Sequence, residues 1–356
     1  MAQRAGAIAI PDGGFRRIEI LRLSSLGDVV LALPVVHALA AAFPSAHLRF
    51  WVKEEFADAV RFDPAIAHVR SLDPDARRIE DLISMSAEME ASDLIVDLHR
   101  SVRTRVLTWR QKAPILSAPS YRLRRGRWVR ARWSGPAPVP SALERYAQAL
   151  ASLGVTPTAS PRLACGDAAE QWAADWMTQW SPATAPIVCC PAAHHFTKRW
   201  PQEHWIALDR SLAALGRPRL YLSLARERRS LPELSQHVES AADARWCSEP
   251  LARMAALVSH AAGAVTNDTG LMHVAAARGA RVVALFGSTS PVLGFAPAGA
   301  GHIVLCRNEP CQPCTLHGRT ECPLSHFRCM RELQPAQVLT AVEKVLSPRV
   351  PESDTP

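Results

Sequence analysis

The stretch from Ala264 to Pro291 constrains the fold of this chain more than any other. Ala264–Thr266 reads as a strand, Asn267-Asp-Thr-Gly270 as a turn, and the apolar residues from Leu271 as a helix. Val282-Val-Ala-Leu-Phe286 is then a second strand, running into the small-residue loop Gly287-Ser-Thr-Ser-Pro291. Strand, helix and strand in this order build the crevice at the strand ends of an open α/β sheet. Asp268 is expected to cap the helix, leaving the amides of Thr269, Gly270 and Leu271 unpaired at its positive end. Gly270 is expected to let a ligand come close, and His273, one turn on, to donate to the same anion. Ser288 and Thr289 add donors from the neighbouring strand end. Two donor-rich strand ends side by side predict a diphosphate site; the alternative is an ordinary capped helix that binds nothing.

The same alternation recurs along all 356 residues, a length that supports two domains with their own cores. Arg17–Leu23, His47–Val52, Leu94–Leu98 and a short piece within Pro114–Pro119 read as strands of a first half. Helices are expected over Val29–Phe43, Glu80–Met89 and Ser141–Gly154. Pro157–Cys165 reads as an extended linker. The second half then runs through a helix at Asp167–Trp180, a strand at Pro186–Cys190, a helix at Pro201–Leu215 and a strand at Leu220–Leu224. The predicted architecture is α/β, two Rossmann-like doubly wound domains facing across a cleft. Its parts are a lead-in (1–15), a first domain (16–160), a second domain (161–334) and a final helix within 335–348, expected to pack back toward the first domain.

Hydrophobic residues make up 48% of the chain, enough for a compact fold. The longest apolar run, Val29–Phe43, is broken by Pro34 and His37 and is too short to span a bilayer. Met1–Gly14 lacks the basic and apolar regions of a secretory signal, so a cytoplasmic protein is expected. The net charge of +8 draws heavily on Arg100, Arg103, Arg105, Arg110, Arg122, Arg124, Arg125, Arg127, Arg130 and Arg132. Such a surface suits nucleic acid, anionic lipid head groups or an acidic sugar. No helix-turn-helix, RNP or zinc-finger pattern accompanies it, so nucleic acid is not expected. Four of the nine cysteines cluster as Cys311, Cys314, Cys322 and Cys329. They can close a zinc site, hold an iron–sulfur cluster, pair as disulfides, or remain thiols that pack a loop.

Ser24-Ser25-Leu26-Gly27-Asp28 lies between the first strand and first helix, facing the cleft. Gly27 is expected to permit close approach of a substrate, and Asp28 to take a proton from an attacking hydroxyl. A carboxylate at a helix N-terminus is held in its charged form, which makes it a weaker base, and a plain capping role is the alternative. Lys198, in Lys198-Arg-Trp-Pro201, sits at the mouth of the second half's first strand-to-helix connection, where its charge can neutralise a departing diphosphate. Glu227 follows the next strand and can hydrogen-bond a ribose or sugar hydroxyl. Asp73-Pro-Asp75 superficially resembles a metal-binding carboxylate pair, but its ordinary loop context argues against that. His194 and His195 are expected to face solvent or substrate.

Taken together, Leu23–Pro34, Asp97-Leu-His-Arg-Ser-Val-Arg103, Lys198–Pro201, Asn267–His273 and Leu285–Pro291 resemble the lipopolysaccharide heptosyltransferases, glycosyltransferase family 9. The resemblance runs in order over roughly residues 16 to 345. It implies a GT-B fold with the acceptor on the first domain and an ADP-heptose donor on the second. It further implies Asp28 as base, Lys198 stabilising the leaving ADP, and Asp268, Thr269, Gly270 and His273 lining the diphosphate pocket. The implied chemistry is an inverting displacement that requires no cofactor and moves heptose onto Kdo or an earlier heptose of the inner core. Ser24, Ser25, Gly27, Arg100, Arg103, Arg122 and Arg124 are the candidate acceptor contacts, the arginines suiting phosphates or carboxylates at the inner-membrane surface. The loop Pro191–Thr197 departs from the glycine- or threonine-containing form common in the family. Two other readings fit the architecture: a nucleotide-sugar epimerase, or a basic, metal-containing binding protein.

Overall fold

A computed structural model describes residues 8–72, 79–131, 139–157 and 159–347. Asp73, Asp75 and Arg132 therefore lie outside the described residues, as do residues 1–7 of the lead-in. The chain builds two sheets whose paired strands are all parallel. The first contains β1 (Arg17–Leu21), β2 (His47–Lys53), β3 (His68–Leu72), β4 (Leu94–Asp97) and β5 (Ile115–Ser117), in the order β3-β2-β1-β4-β5. The second contains β6 (Ile187–Cys190), β7 (Arg219–Leu222), β8 (Ala244–Cys247), β9 (Gly263–Asn267), β10 (Val282–Phe286) and β11 (Ile303–Cys306), in the order β11-β10-β9-β6-β7-β8.

Each sheet reverses strand order at one point, between β1 and β4 in the first and between β6 and β9 in the second. Crevices open beyond the carboxyl ends of strands at such points. The loops entering them are the ones singled out above: Ser24–Asp28 after β1, His99–Arg103 after β4, Pro191–Lys198 after β6 and Asp268–Gly270 after β9.

The central strands are near-continuous apolar runs because helices cover both faces of each sheet. Ile18, Ile20 and Leu21 of β1 and every residue of β10 are buried. Glu19 is the polar exception: its Oε2 accepts Trp51 Nε1 at 2.6 Å, and its Oε1 forms an ion pair with Arg49, 3.0 Å from Nε.

Several boundaries differ from expectation for local reasons. The apolar run at 29–43 is two helices, Leu26–Val30 and Leu33–Ala42. Pro34 has no N–H to donate and its ring crowds the carbonyl four residues back, so the first helix stops and Pro34 sits in the first turn of the second. The strands β3, β8 and β11 were not expected; they lie at sheet edges and are short, β3 and β8 carry mixed polarity, and the apolar β11 is only half-buried. The arginine-rich segment forms the helix Arg122–Ala131, none of whose residues is buried. The final helix, Pro335–Leu346, packs on the helix Gln202–Ala214 and on β9 and β10. Its apolar face, Val338, Ala341, Val342 and Val345, joins the second domain's core, so it does not pack back onto the first domain.

The domains meet helix to helix. Leu26–Val30 lies against Gly270–Ala277, and one apolar core runs through both. A Cβ built on Gly270 would lie 2.7 Å from Leu26 Cβ, and one built on Gly27 would collide with Cδ2 of His273. Both glycines thus serve the approach of one domain to the other, where room for a ligand was expected.

Candidate active site

On the first domain the site is built around Asp28, in the first turn of the helix after β1. Its Oδ1 lies 2.7 Å from Arg22 Nη2 and accepts the Tyr146 hydroxyl at 2.8 Å. Its Oδ2 accepts the Ser25 hydroxyl at 3.0 Å and the Ser25 amide at 3.4 Å, so Ser25 is the residue in the capping position. Burial by itself would raise the carboxyl pKa. The Arg22 charge, with hydrogen bonds from Tyr146, Ser25 and Arg22, outweighs burial and holds it at about 2. Arg22 is fixed in turn by a bond to the Leu98 carbonyl at 2.7 Å. His99, beside the same pair, is pushed down to about 4 by burial and by the nearby Arg22 charge.

On the second domain Lys198 closes the short 3-10 turn Phe196–Lys198 and places Nζ 2.8 Å from Asp268 Oδ2. That oxygen also accepts the Thr289 hydroxyl at 2.6 Å. Asp268 is not the helix cap: Thr269 occupies that position, and the Asp268 side chain turns instead to Lys198. Gly270 and Leu271 begin the helix, where first-turn amides have no intrahelical acceptor. Two buried atoms beside them, Thr269 Oγ1 and His273 Nδ1, have no hydrogen-bond partner among the described residues. Unsatisfied polar atoms at a helix N-terminus mark a place for an anion to bind. Burial pushes His273 down to about 4, so its ring is neutral at pH 7.

Ser288 differs from expectation. Its hydroxyl donates to Thr197 Oγ1 at 2.8 Å and its amide to the Thr197 carbonyl at 3.1 Å, so its donors brace the loops. Thr289 likewise spends its hydroxyl on Asp268. Asn267 works the same way, accepting the Trp200 amide at 3.2 Å and donating to the Pro191 carbonyl at 2.6 Å. Glu227 is half-buried in the short helix Ala225–Arg228, and its carboxylate makes no ion pair among the described residues. It lies close enough to Arg199 and Cys190 for its charge to act on both.

Of the acceptor candidates, Ser24, Ser25 and Gly27 come together with Asp28 at the end of β1. Arg100 stands at the end of β4, its backbone left-handed and its guanidinium 3.5 Å from the Ala118 carbonyl. Arg103 is half-buried one turn on, whereas Arg122 and Arg124 are exposed on their helix. Arg125 is the member of that helix that turns to the seam. It lies 5.7 Å from the Phe295 ring, which Arg145 also faces at 5.1 Å. Burial and the like charge of Arg145 bring Arg125 down to about 10.

The cysteine-rich segment braces the second domain's loops. The Arg319 amide donates to Thr197 Oγ1 at 2.8 Å and the Cys314 amide to the Ser288 carbonyl at 3.0 Å. None of the nine cysteines forms a disulfide. Among the described residues no three His, Cys, Asp or Glu side chains are grouped to hold a metal ion. Cys311 Sγ instead lies 3.8 Å from His326 Nε2, and Cys314 Sγ points to the Ser288 carbonyl at 3.6 Å. His317, on this segment, is held below the usual histidine range by burial and by the charges of Arg125 and Lys198, one from each domain.

Arg22, Tyr146 and His317 were not singled out in the sequence, and Asn267, Thr197 and Arg125 were named only as members of their motif, loop and basic cluster. Arg22 carried a signal: a charge between Leu21 and Leu23 at the end of a buried strand needs a buried partner. The others depend on contacts across long sequence separations.

The sequence pattern of glycosyltransferase family 9 (heptosyltransferase) matches residues 84–324. The chain is 28% identical to lipopolysaccharide heptosyltransferase 1 of Pseudomonas aeruginosa, over 93% of this chain and 98% of that one. Its fold is similar to that of a glycosyltransferase family 9 protein from Veillonella parvula, with a TM-score of 0.75 at 21% identity over 93% and 97% of the two chains. It is also similar to Escherichia coli heptosyltransferase WaaC solved with ADP, with a TM-score of 0.65 at 21% identity over 92% and 99%. With two parallel sheets facing across one seam, this chain has the GT-B fold and belongs to glycosyltransferase family 9, the heptosyltransferases.

Proposed function

We propose that the protein transfers heptose from ADP-heptose to Kdo or heptose of the lipopolysaccharide inner core, with inversion and without a catalytic metal. The observation that carries this reading is the juxtaposition across the domain seam. Asp28 on one side and the Lys198–Asp268 pair on the other both lie within electrostatic reach of His273. The ADP-bound relative of the same fold supports ADP as the nucleotide.

In this reading the acceptor hydroxyl attacks the anomeric carbon from the face opposite the diphosphate. The new C–O bond forms as the bond to the diphosphate oxygen breaks, and that oxygen leaves with the electron pair. Lys198 and the amides of Thr269, Gly270 and Leu271 receive the developing negative charge. The hydroxyl proton passes to Asp28. A carboxylate with a pKa of about 2 is a weak base toward a resting hydroxyl. As the oxygen bonds to carbon and gains positive charge its acidity rises steeply, so late transfer to an ionised carboxylate is favourable. Arg100, Arg103, Arg122 and Arg124 hold the acceptor's anionic groups, and Glu227 holds a hydroxyl of the donor. The enzyme works at the cytoplasmic face of the inner membrane, where that acceptor is anchored, and does not act on nucleic acid.

The test is ADP release from ADP-heptose with and without a Kdo-bearing acceptor. Release that requires acceptor supports transfer, while donor conversion in its absence would reveal an epimerase.

A further inference from the structure

The edge of the first sheet beyond β5 has a composition that the chemistry in the cleft does not call for. Between Asp97 and Glu144 the chain carries ten arginines and Lys112, and no aspartate or glutamate. Within the same stretch stand four exposed large apolar side chains: Val102 (68% exposed), Trp109 (62%), Ile115 (45%) and Leu123 (86%). They lie on β5 itself and on the two helices that flank it in sequence, Val102–Thr108 with its capping Trp109, and Arg122–Ala131. β5 is an edge strand of three residues, and the helix after it buries none of its side chains. No helix of the described residues is long and apolar enough to cross a membrane.

A basic surface alone is ordinarily just solvated. Apolar side chains as exposed as Leu123 gain nothing in water. Lysine and arginine interspersed with tryptophan and leucine, with no carboxylate among them, are the chemistry of a surface that rests in the head-group layer of an anionic bilayer. We infer that this edge is a membrane seat: the exposed Arg105, Arg110, Arg127 and Arg130 meet lipid phosphates while Leu123, Trp109 and Val102 enter the head-group and acyl boundary. Charge complementarity fixes the occupant as anionic phospholipid. This rests on the reading that the acceptor is anchored in a membrane, and it gives the docked enzyme an orientation. Arg100 and Arg103 lie at the carboxyl end of the adjacent β4, so the seated edge adjoins the acceptor side of the cleft.

The experiment is co-sedimentation of the full chain with phosphatidylcholine vesicles containing phosphatidylglycerol, with pure phosphatidylcholine vesicles as reference. Leu123→Ser and Trp109→Ser are compared with the unaltered protein, and transfer to a lipid-free acceptor is followed alongside. Binding is expected to require phosphatidylglycerol and to weaken about tenfold in each variant, the scale of losing one large apolar contact. Transfer to the lipid-free acceptor is expected to be unchanged, which also shows that the variants fold. Variants that bind vesicles as the unaltered protein does would overturn the seat, as would equal binding to pure phosphatidylcholine. Added RNA that displaces the protein from vesicles at equal phosphate concentration would point to a general polyanion surface and overturn it too. Failure of these binding tests leaves lipid-free transfer measurable, so it is distinct from failure of the transferase reading.

Discussion

Arg22 and Asp28 form a nearly enclosed ion pair, Nη2 to Oδ1 at 2.7 Å, with each side chain less than a sixth exposed. Removing one partner of such a pair leaves the other buried and uncompensated, which typically costs about 3–5 kcal/mol. Arg22→Met is therefore expected to destabilise the fold and to let the Asp28 carboxyl pKa rise. In the unaltered enzyme Asp28 is ionised above about pH 3 and contributes no acid limb to kcat/KM near neutrality. In Arg22→Met an acid limb should enter the measurable range, and a pH–rate profile of the two proteins checks it.

Tyr146→Phe removes one hydrogen bond to the same carboxylate while keeping the packed ring. A hydrogen bond to a charged group contributes about 1.5–3 kcal/mol, so chemical denaturation should show a loss of that size. The rate of transfer should fall about tenfold with little change in donor KM, because the Tyr146 hydroxyl bonds to Asp28, across the seam from the loops proposed to hold the donor.

Gly27→Ala should force the seam apart, since its new methyl would collide with His273. Overpacking of this kind costs about 1–3 kcal/mol. His273→Ala in the same chain removes the obstruction, so the double variant should recover much of the stability that Gly27→Ala alone loses. Thermal melts of the three variants test this coupling.

Acid should destabilise the protein well before its carboxylates titrate. His273 and His99 are each held at about 4 in the fold, from a reference of 6.5. A group whose folded pKa is depressed keeps its full contribution above the unfolded value and loses it as pH falls toward the folded one. Each histidine therefore withdraws on the order of 3 kcal/mol between about pH 6.5 and 4. Asp28 withdraws its share only lower, between 3.8 and about 2. Guanidinium denaturation at pH 7 and pH 5 should show the first loss, and His273→Asn should reduce it.

The α/β fold with two parallel sheets was legible because central parallel strands are continuous apolar runs and the loops leaving them are rich in small residues. Asp28, Lys198 and Asp268 were singled out on that basis, each one loop beyond a buried strand, and the fold brings all three within electrostatic reach of His273. Their partners were less legible. Tyr146 reaches Asp28 across 118 positions and Thr197 reaches Arg319 across 122, separations over which no local pattern operates. The glycines misled for a related reason: Gly27 and Gly270 do mark close approach, but what approaches is the other domain. Asp268 looked like a cap because aspartate before a helix usually is one; Lys198, brought in by a loop 70 residues earlier in the chain, claims its carboxylate instead.

Lys198→Met should lower kcat about a hundredfold, the scale of losing one charge-stabilising group at a leaving oxygen, and should weaken ADP binding. Lys198→Arg keeps the charge beside Asp268 and should restore part of the rate. Single-turnover kinetics with ADP titration separates the two effects.

The proposed proton-accepting role of Asp28 is tested most directly by Asp28→Asn, which keeps the side chain's shape and removes its charge. Acceptor-dependent ADP release should fall by about a hundredfold or more, while ADP, whose proposed site is on the opposite domain, should bind as before. Transfer at the unaltered rate would contradict the account.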